Sequence, residues 1–473
     1  MRLPIAVVIL AAAGLAVFVW RTKAPKPAPP MPAPVVSGSG KGRGAGFPGG
    51  SLLDQVVPKS EGPANVDLSG PVATTEQLQK QFATLADYQE QINELKVRAT
   101  AAAEAKNADL VKTTSEEGKR LVSLVDLLLR ALQADLAAAR QAKPQDPTVQ
   151  WLTGELLLTA GGEPEEIRPY FERAVAAGLK QPQLFASLAK VEFDSNHFQA
   201  AYEDARKALA ADNHKRAVWE IYARASFGVE RFHDVVEGLD QAFPKDKPAW
   251  AADPRKKAQH LVEEWKRELA LRQAEDKADD LPRVRFTIEH RAFVNGSAGE
   301  KSTGRGDVEL ELFEDQAPAT VANFLYLVER RFYDGTRFHW AEAGRMAVGG
   351  DPNTKLENRS EDGNGGPGYS IPDESRSALA RGHFRGSISL VQHGPRTAGS
   401  QFFITLVPCP EFDGRFTTFG RVIAGQEVMD QVTEGRTNRE IGEFGKIIPG
   451  DVLVHAEVIR KRAHKYEVTK IAP

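Results

Sequence analysis

The sequence predicts a multidomain chain in which an all-α array of helical repeats precedes a closed antiparallel β-barrel with a few helices. Three observations predict it. Residue types recur at a spacing of 34 between Trp151 and Ala242. After Leu281-Pro282 the apolar pattern changes from helical spacing to strict alternation. The length of 473 residues allows about three domains at roughly 150 residues each. Hydrophobic residues make up 41% and charged residues 26%, which excludes wholesale disorder. Lys plus Arg is 61 against 64 for Asp plus Glu, so the net charge is −3 and no basic excess points to nucleic acid. Cys409 is the only cysteine, which excludes an intramolecular disulfide and a cysteine-based zinc cluster.

Residues 1–23 read as a membrane anchor helix. Leu3 to Trp20 is an 18-residue run without a charge, long enough to cross a bilayer, with Arg2 before it and Arg21, Lys23 and Lys26 after it. A cleaved signal peptide is the competing reading. The run exceeds a usual signal core, and Trp20-Arg21-Thr22-Lys23 offers no small-x-small cleavage site. For a single-pass N-terminal anchor, the positive-inside rule weighs the three cations after the run against Arg2 and the amino terminus and leaves the orientation open. A two-residue tail staying inside would put the folded domains outside the cytoplasm. Residues 24–73 read as a disordered linker, with Pro25, Pro27, Pro29, Pro30, Pro32 and Pro34 stiffening its first part and Gly and Ser loosening the rest.

Residues 74–145 read as a helical hairpin. Thr74 with Gln77, and Thr114 with Glu117, have capping-box spacing. Leu121, Leu124, Val125, Leu128, Leu129 and Leu132 form one helical stripe. Residues 146–280 carry the repeat and a capping helix. Trp151, Phe185 and Trp219 share its register, as do Ala174, Ala208 and Ala242; Ile167, Ala201 and Val235; and Pro164, Phe198 and Phe232. This stretch resembles tetratricopeptide repeats, in which stacked helix pairs bury a common face and leave a surface that binds a partner protein. Tyr202, Tyr222 and Arg224 are candidates for that surface. A last charged helix, Asp253 to Asp279, closes the array, with Trp265 and Leu269 expected to face the final repeat.

Residues 281–473 read as the barrel. Val284 to Glu289 and Asp307 to Leu312 alternate with a period of two, while Thr320–Arg330 and Glu427–Gln431 read as helices. Within it, LELFEDQAPATVANFLYLVERRFYDGTRFH, GGDP at 349–352, GGPGYSIPDE at 365–374, RGSISL at 385–390, GSQFFITL at 399–406 and FDGRFTTFGRV at 412–422 occur in this order. They resemble the cyclophilins, barrel-shaped peptidyl-prolyl cis-trans isomerases. The resemblance implies rotation of Xaa-Pro bonds, whose uncatalysed exchange takes tens to hundreds of seconds. No nucleophile, metal or cofactor is required. An apolar pocket holds the proline ring, and an arginine donates toward the proline nitrogen, favouring the twisted transition state over the planar amide.

Carried over residue by residue, the resemblance assigns Phe338, Met346, Gln392, Phe402, Phe403, Phe412 and Phe416 to the substrate pocket, and Trp340, Arg345 and Gln401 to the catalytic positions. Gln401-Phe402-Phe403 and Met346 match the family. Trp340 stands where the family has its arginine, Arg345 where it has a pocket phenylalanine, Val348 for a glutamine, Gln392 for an asparagine, Glu411 for a tryptophan, Phe412 for a leucine and Phe416 for a histidine. Two functions are expected from this pattern. One is a membrane-tethered isomerase that assists the folding of client proteins, with the repeats recruiting partners. The other is a scaffold or chaperone that holds proline-containing segments but rotates them poorly. The acidic stretch Glu361-Asp362-Gly363-Asn364 lacks the oxygen spacing of a calcium loop and reads as a solvated insertion.

Overall fold

A computed structural model describes residues 72–105, 107–211, 215–245, 247–293, 300–356, 361–392, 397–432 and 450–471. The expected anchor and nearly all of the linker lie outside these residues. Among the described residues, no helix is long and apolar enough to cross a membrane. The described chain falls into two compact units, 72–191 and 192–471.

The first unit opens with the hairpin, α1 (Thr75–Glu104) and α2 (Ala108–Ala142). Thr74 and Gln77 form a reciprocal capping box: Thr74 Oγ1 accepts the Gln77 N–H at 3.2 Å, and Gln77 Oε1 accepts the Thr74 N–H at 2.8 Å. Thr114 does not cap, contrary to expectation. It lies inside α2, where its hydroxyl donates back to the carbonyls of Leu110 and Val111 at 2.7 and 3.0 Å. The start of α2 is capped instead by Asn107, whose Oδ1 accepts the Leu110 N–H. The expected stripe is buried at Leu121, Val125, Leu129 and Leu132. Val125, Leu129 and Leu132 pack with Leu78 and Leu85 of α1 and with Val149, Leu152 and Leu156 of α3 (Pro147–Thr159), so hairpin and first helix pair share one core. In α4 (Pro164–Ala176), Phe171 packs on Gly154, where a Cβ would overlap the ring. Gly154, which departs from the repeat's apolar pattern, therefore serves close helix approach.

The helices α4, α6 (Phe198–Ala211) and α8 (Phe232–Ala242) begin at the three positions of one 34-residue column. Between them run α5 (Pro182–Asp194) and α7 (Arg216–Gly228). Tyr202 and Tyr222 are 3% and 6% exposed and stack at 5.8 Å, so they line no open surface. The Tyr202 hydroxyl donates to Asp234, and Arg224 covers the Phe193 ring.

The last helix, α9 (Ala252–Ala278), docks on the β domain. Trp265 meets Phe232 edge-on at 5.9 Å and Phe384 at 4.9 Å. Leu269, expected to face the repeat, is exposed instead. Arg381 lies on the same interface, its side chain only 2% exposed. It donates to both Glu268 oxygens at 2.8 and 2.7 Å and to Glu275 at 2.5 Å. Arg421 bridges Asp276 of α9 and Glu311 of the sheet at 3.0 and 2.8 Å.

The β domain is one antiparallel sheet of nine strands, in the order β3-β9-β1-β2-β8-β6-β7-β5-β4. The strands are β1 (Arg283–Phe293), β2 (Glu300–Leu312), β3 (Thr336–Arg337), β4 (Trp340–Glu342), β5 (Met346–Gly349), β6 (Ser387–Leu390), β7 (Phe402–Thr405), β8 (Thr418–Ala424) and β9 (Val452–Arg460). The helices α10 (Pro318–Glu329) and α11 (Gln426–Asp430) sit close to the expected spans. The two alternating stretches are strands, as read, and they pair with each other, with Val284 opposite Leu310 and Phe286 opposite Val308. The sheet is curled and has two edges, β3 and β4, where a closed barrel was expected. A single isolated bridge, Arg337 to Asp351, links the β3 edge to the residues after β5. Phe286, Phe324, Tyr333, Phe338, Phe402 and Phe419 fill its interior.

Removing one partner of a buried ion pair strands the other. Glu268→Ala is expected to lower the urea-unfolding stability of the chain by about 3–5 kcal/mol, and the Glu268→Leu/Arg381→Leu double substitution by less. A second expectation concerns pH. Burial raises the Glu155 carboxyl from 4.5 to about 7, opposed by hydrogen bonds from Ser187 and Trp151. The folded state thus keeps a proton that the unfolded chain releases. Stability of the first unit therefore falls as pH rises from about 4.5 to about 7, and Glu155→Gln removes that slope in pH-dependent melting.

Candidate functional site

The β4–β5 hairpin presents the residues at the altered positions. Trp340 pairs with Val348 and Glu342 with Met346, and β5 then pairs with β7 so that Val348 faces Phe403. Because side chains alternate along a strand, Met346, Val348 and Phe403 share a face. They form one apolar cluster with Val391, Cys409, Phe412 and Phe416. The structure thus brings together four of the expected pocket residues: Met346, Phe403, Phe412 and Phe416.

The cluster is closed by its own rings. Phe403, Phe412 and Phe416 meet edge to face, with centroids 5.4, 5.3 and 5.4 Å apart. None of the three is more than 5% exposed. The His383 ring stacks on Phe403 at 5.8 Å, and its Nδ1 lies 2.7 Å from Asp413 Oδ1. His383 was missed by the sequence reading; its only signal was its place just before the RGSISL block.

Phe338 and Phe402 are corrections to the expected pocket. Both are fully buried in the sheet interior, 6.2 Å apart, and Phe402 packs on Phe286 and Tyr333. Phe402 and Phe403 are neighbours on one strand, so only one can face the cluster. Gln401 donates to the carbonyls of Gly363 and Gly365 at 2.9 and 2.8 Å, pinning the loop that holds the acidic insertion. Asp351 accepts the N–H groups of the same two glycines. Gln392 donates to the Arg415 carbonyl, away from the cluster's core.

Two donors stand at the rim. Trp340 is 36% exposed on the edge strand, and its indole N–H has no partner among the described residues. Arg345 lies with its guanidinium carbon 5.1 Å from the centroid of the Phe412 ring. It is tied to Glu342 at 3.0 Å and to Glu411 at 3.7 Å. Burial disfavours its charge, but these carboxylates outweigh that and hold its pKa above the usual arginine value. Cys409 is buried in the cluster, and burial pushes its thiol up, so it is no nucleophile at neutral pH. The arrangement offers an aromatic surface for a ring and one or two N–H donors beside it.

Residues 300–457 match the family described as cyclophilin type peptidyl-prolyl cis-trans isomerase/CLD. Peptidyl-prolyl cis-trans isomerase CYP18-1 of Arabidopsis thaliana is 38% identical over 157 residues, 33% of this chain and 93% of that protein. A peptidyl-prolyl cis-trans isomerase of Helicobacter pylori is 40% identical over 152 residues, 32% of this chain and 88% of that one. A crystal structure of a Cryptosporidium parvum cyclophilin-type isomerase is 27% identical with a TM-score of 0.30, covering 38% of this chain and 99% of that one.

The three-ring cluster sets a measurable cost. Phe416→Ala is expected to destabilise the chain by about 3–5 kcal/mol in chemical denaturation, the usual cost of emptying a packed aromatic site.

Proposed function

The chain belongs to the cyclophilin-type peptidyl-prolyl cis-trans isomerases, and we propose that it is a membrane-tethered member that holds proline-containing segments of client proteins and rotates them slowly. Trp340 carries this reading. Isomerisation is catalysed when a donor reaches the proline nitrogen as the amide loses its resonance. At the arginine's position this chain offers an indole N–H, one donor in place of a charged fork. Losing such a donor typically costs about 10²–10³ in rate. The aromatic cluster can supply a surface for the proline ring once one of its packed rings gives way, which supports binding without fast turnover.

A second reading rests on Arg345. Its guanidinium sits over Phe412, 5.1 Å from the ring centroid, so it is a cation at the rim that could replace the missing arginine. On that reading the protein is a competent isomerase that assists folding. Its ties to Glu342 and Glu411 weigh against this, since both must loosen before it turns toward a substrate.

The tether is proposed from the uncharged run Leu3–Trp20. The folded domains are placed outside the cytoplasm on the shortness of the two-residue N-terminal tail, against the three cations that follow the run. The helical region is read as tetratricopeptide-like and as the place where a protein partner binds; the 34-residue register of its helix starts supports this.

The test is cis/trans exchange of a proline peptide, followed by NMR with the full chain. Trp340→Arg is expected to raise the exchange rate by about 10²-fold. A wild-type rate already equal to that of Trp340→Arg sinks the slow-turnover reading. An unchanged rate in Arg345→Ala sinks the Arg345 reading.

A further inference from the structure

We propose that Asn196, in the turn between α5 and α6, is a positioning residue for the proline-binding rim, so that the site is incomplete without the helices that precede the sheet. This rests on reading the rim as a proline-binding surface.

The rim is weakly held by the sheet itself. β4 is a three-residue edge strand with no outer neighbour, and its hairpin turns at Gly344, between Glu342 and Arg345. The turn is held from outside. Asn196 adopts a left-handed backbone, with φ of 60°, which asparagine tolerates better than most residues. Its side-chain amide bridges two pieces of the β domain. Oδ1 accepts the Gly344 N–H at 2.6 Å, and Nδ2 donates to the Asp430 carbonyl at 3.0 Å. Gly344 is left-handed too, with φ of 66°, and the Phe193 ring lies where a Cβ would project. Phe193 is held in turn by Arg224 at 4.4 Å and by Phe198 at 5.2 Å.

An open cleft of about 690 Å³ lies beside this bond, lined by Asn196, Phe198, Glu230, Arg385 and Asp430 among others. The amide bridge and the Phe193 ring together set where the turn sits. The turn sets Arg345, whose carbonyl accepts the Leu406 N–H and whose side chain covers Phe412.

The experiment uses the full chain with Asn196→Ala and Asn196→Asp. Aspartate keeps the acceptor for Gly344 and tolerates the left-handed backbone. Two quantities are read: hydrogen exchange of the peptide spanning 340–348, and the dissociation constant of a fluorescein-labelled Ala-Ala-Pro-Phe peptide. Losing one hydrogen bond to the rim corresponds to about fivefold. Asn196→Ala is expected to speed hairpin exchange and weaken peptide binding by about that factor, and Asn196→Asp, which keeps the Gly344 acceptor but turns a carboxylate on the Asp430 carbonyl, to recover only part of both. Two results overturn the proposal. One is hairpin exchange unchanged in Asn196→Ala. The other is a faster hairpin with unchanged peptide affinity, which makes Asn196 merely structural. If the wild type binds no proline peptide, the proline-binding reading falls, and hairpin exchange still decides whether Asn196 holds the rim.

Discussion

Arg381 keeps its charge, so it cannot lie where it does without the acids of α9. Its side chain is almost wholly out of water, and among the described residues Glu268 and Glu275 supply the carboxylates bonded to it. A buried charge without a partner is among the most costly defects a fold can carry. The helix and the sheet are therefore obliged to meet. Once they do, Trp265 closes over Phe384, and Arg421 ties Asp276 to Glu311. The tail of the helical array is thus part of the β domain's own stability.

That docking gives meaning to the altered site. An ordinary reading treats Trp340, Arg345, Glu411 and Phe416 as four separate losses. In the structure they belong to one rearrangement. Phe416 fills the cluster from within, while Arg345 and Glu411 pair at its rim. The hairpin that carries Trp340 and Arg345 leans on Phe193 and Asn196, outside the sheet altogether.

Much of this was legible in the sequence wherever the physics is local. The alternation of Val284, Phe286 and Ile288 identified a strand because side-chain period two is a property of the strand alone. The capping box at Thr74 was readable for the same reason, since its two bonds span three residues. Thr114 has the same spacing but lies in the middle of a helix. The motif cannot tell a start from an interior, and Asn107 was the better cap. Phe402 and Phe403 show a different limit. Family likeness names both, but the strand can point only one at the cluster. The bonds of Asn196 to Gly344 and of Arg381 to Glu268 cross 148 and 113 residues, and no pattern in the intervening sequence announces them.

The edge-to-face trio of Phe403, Phe412 and Phe416 also governs access in time. If the cluster is the proline site proposed above, an entering ring has to take the place of a phenyl ring already there. The competent state is then a minor member of the resting population, and apparent affinity falls by the fraction of molecules in which the rings have parted. Association becomes gated by a side-chain rearrangement inside a close-packed core, and encounter frequency ceases to be its limit.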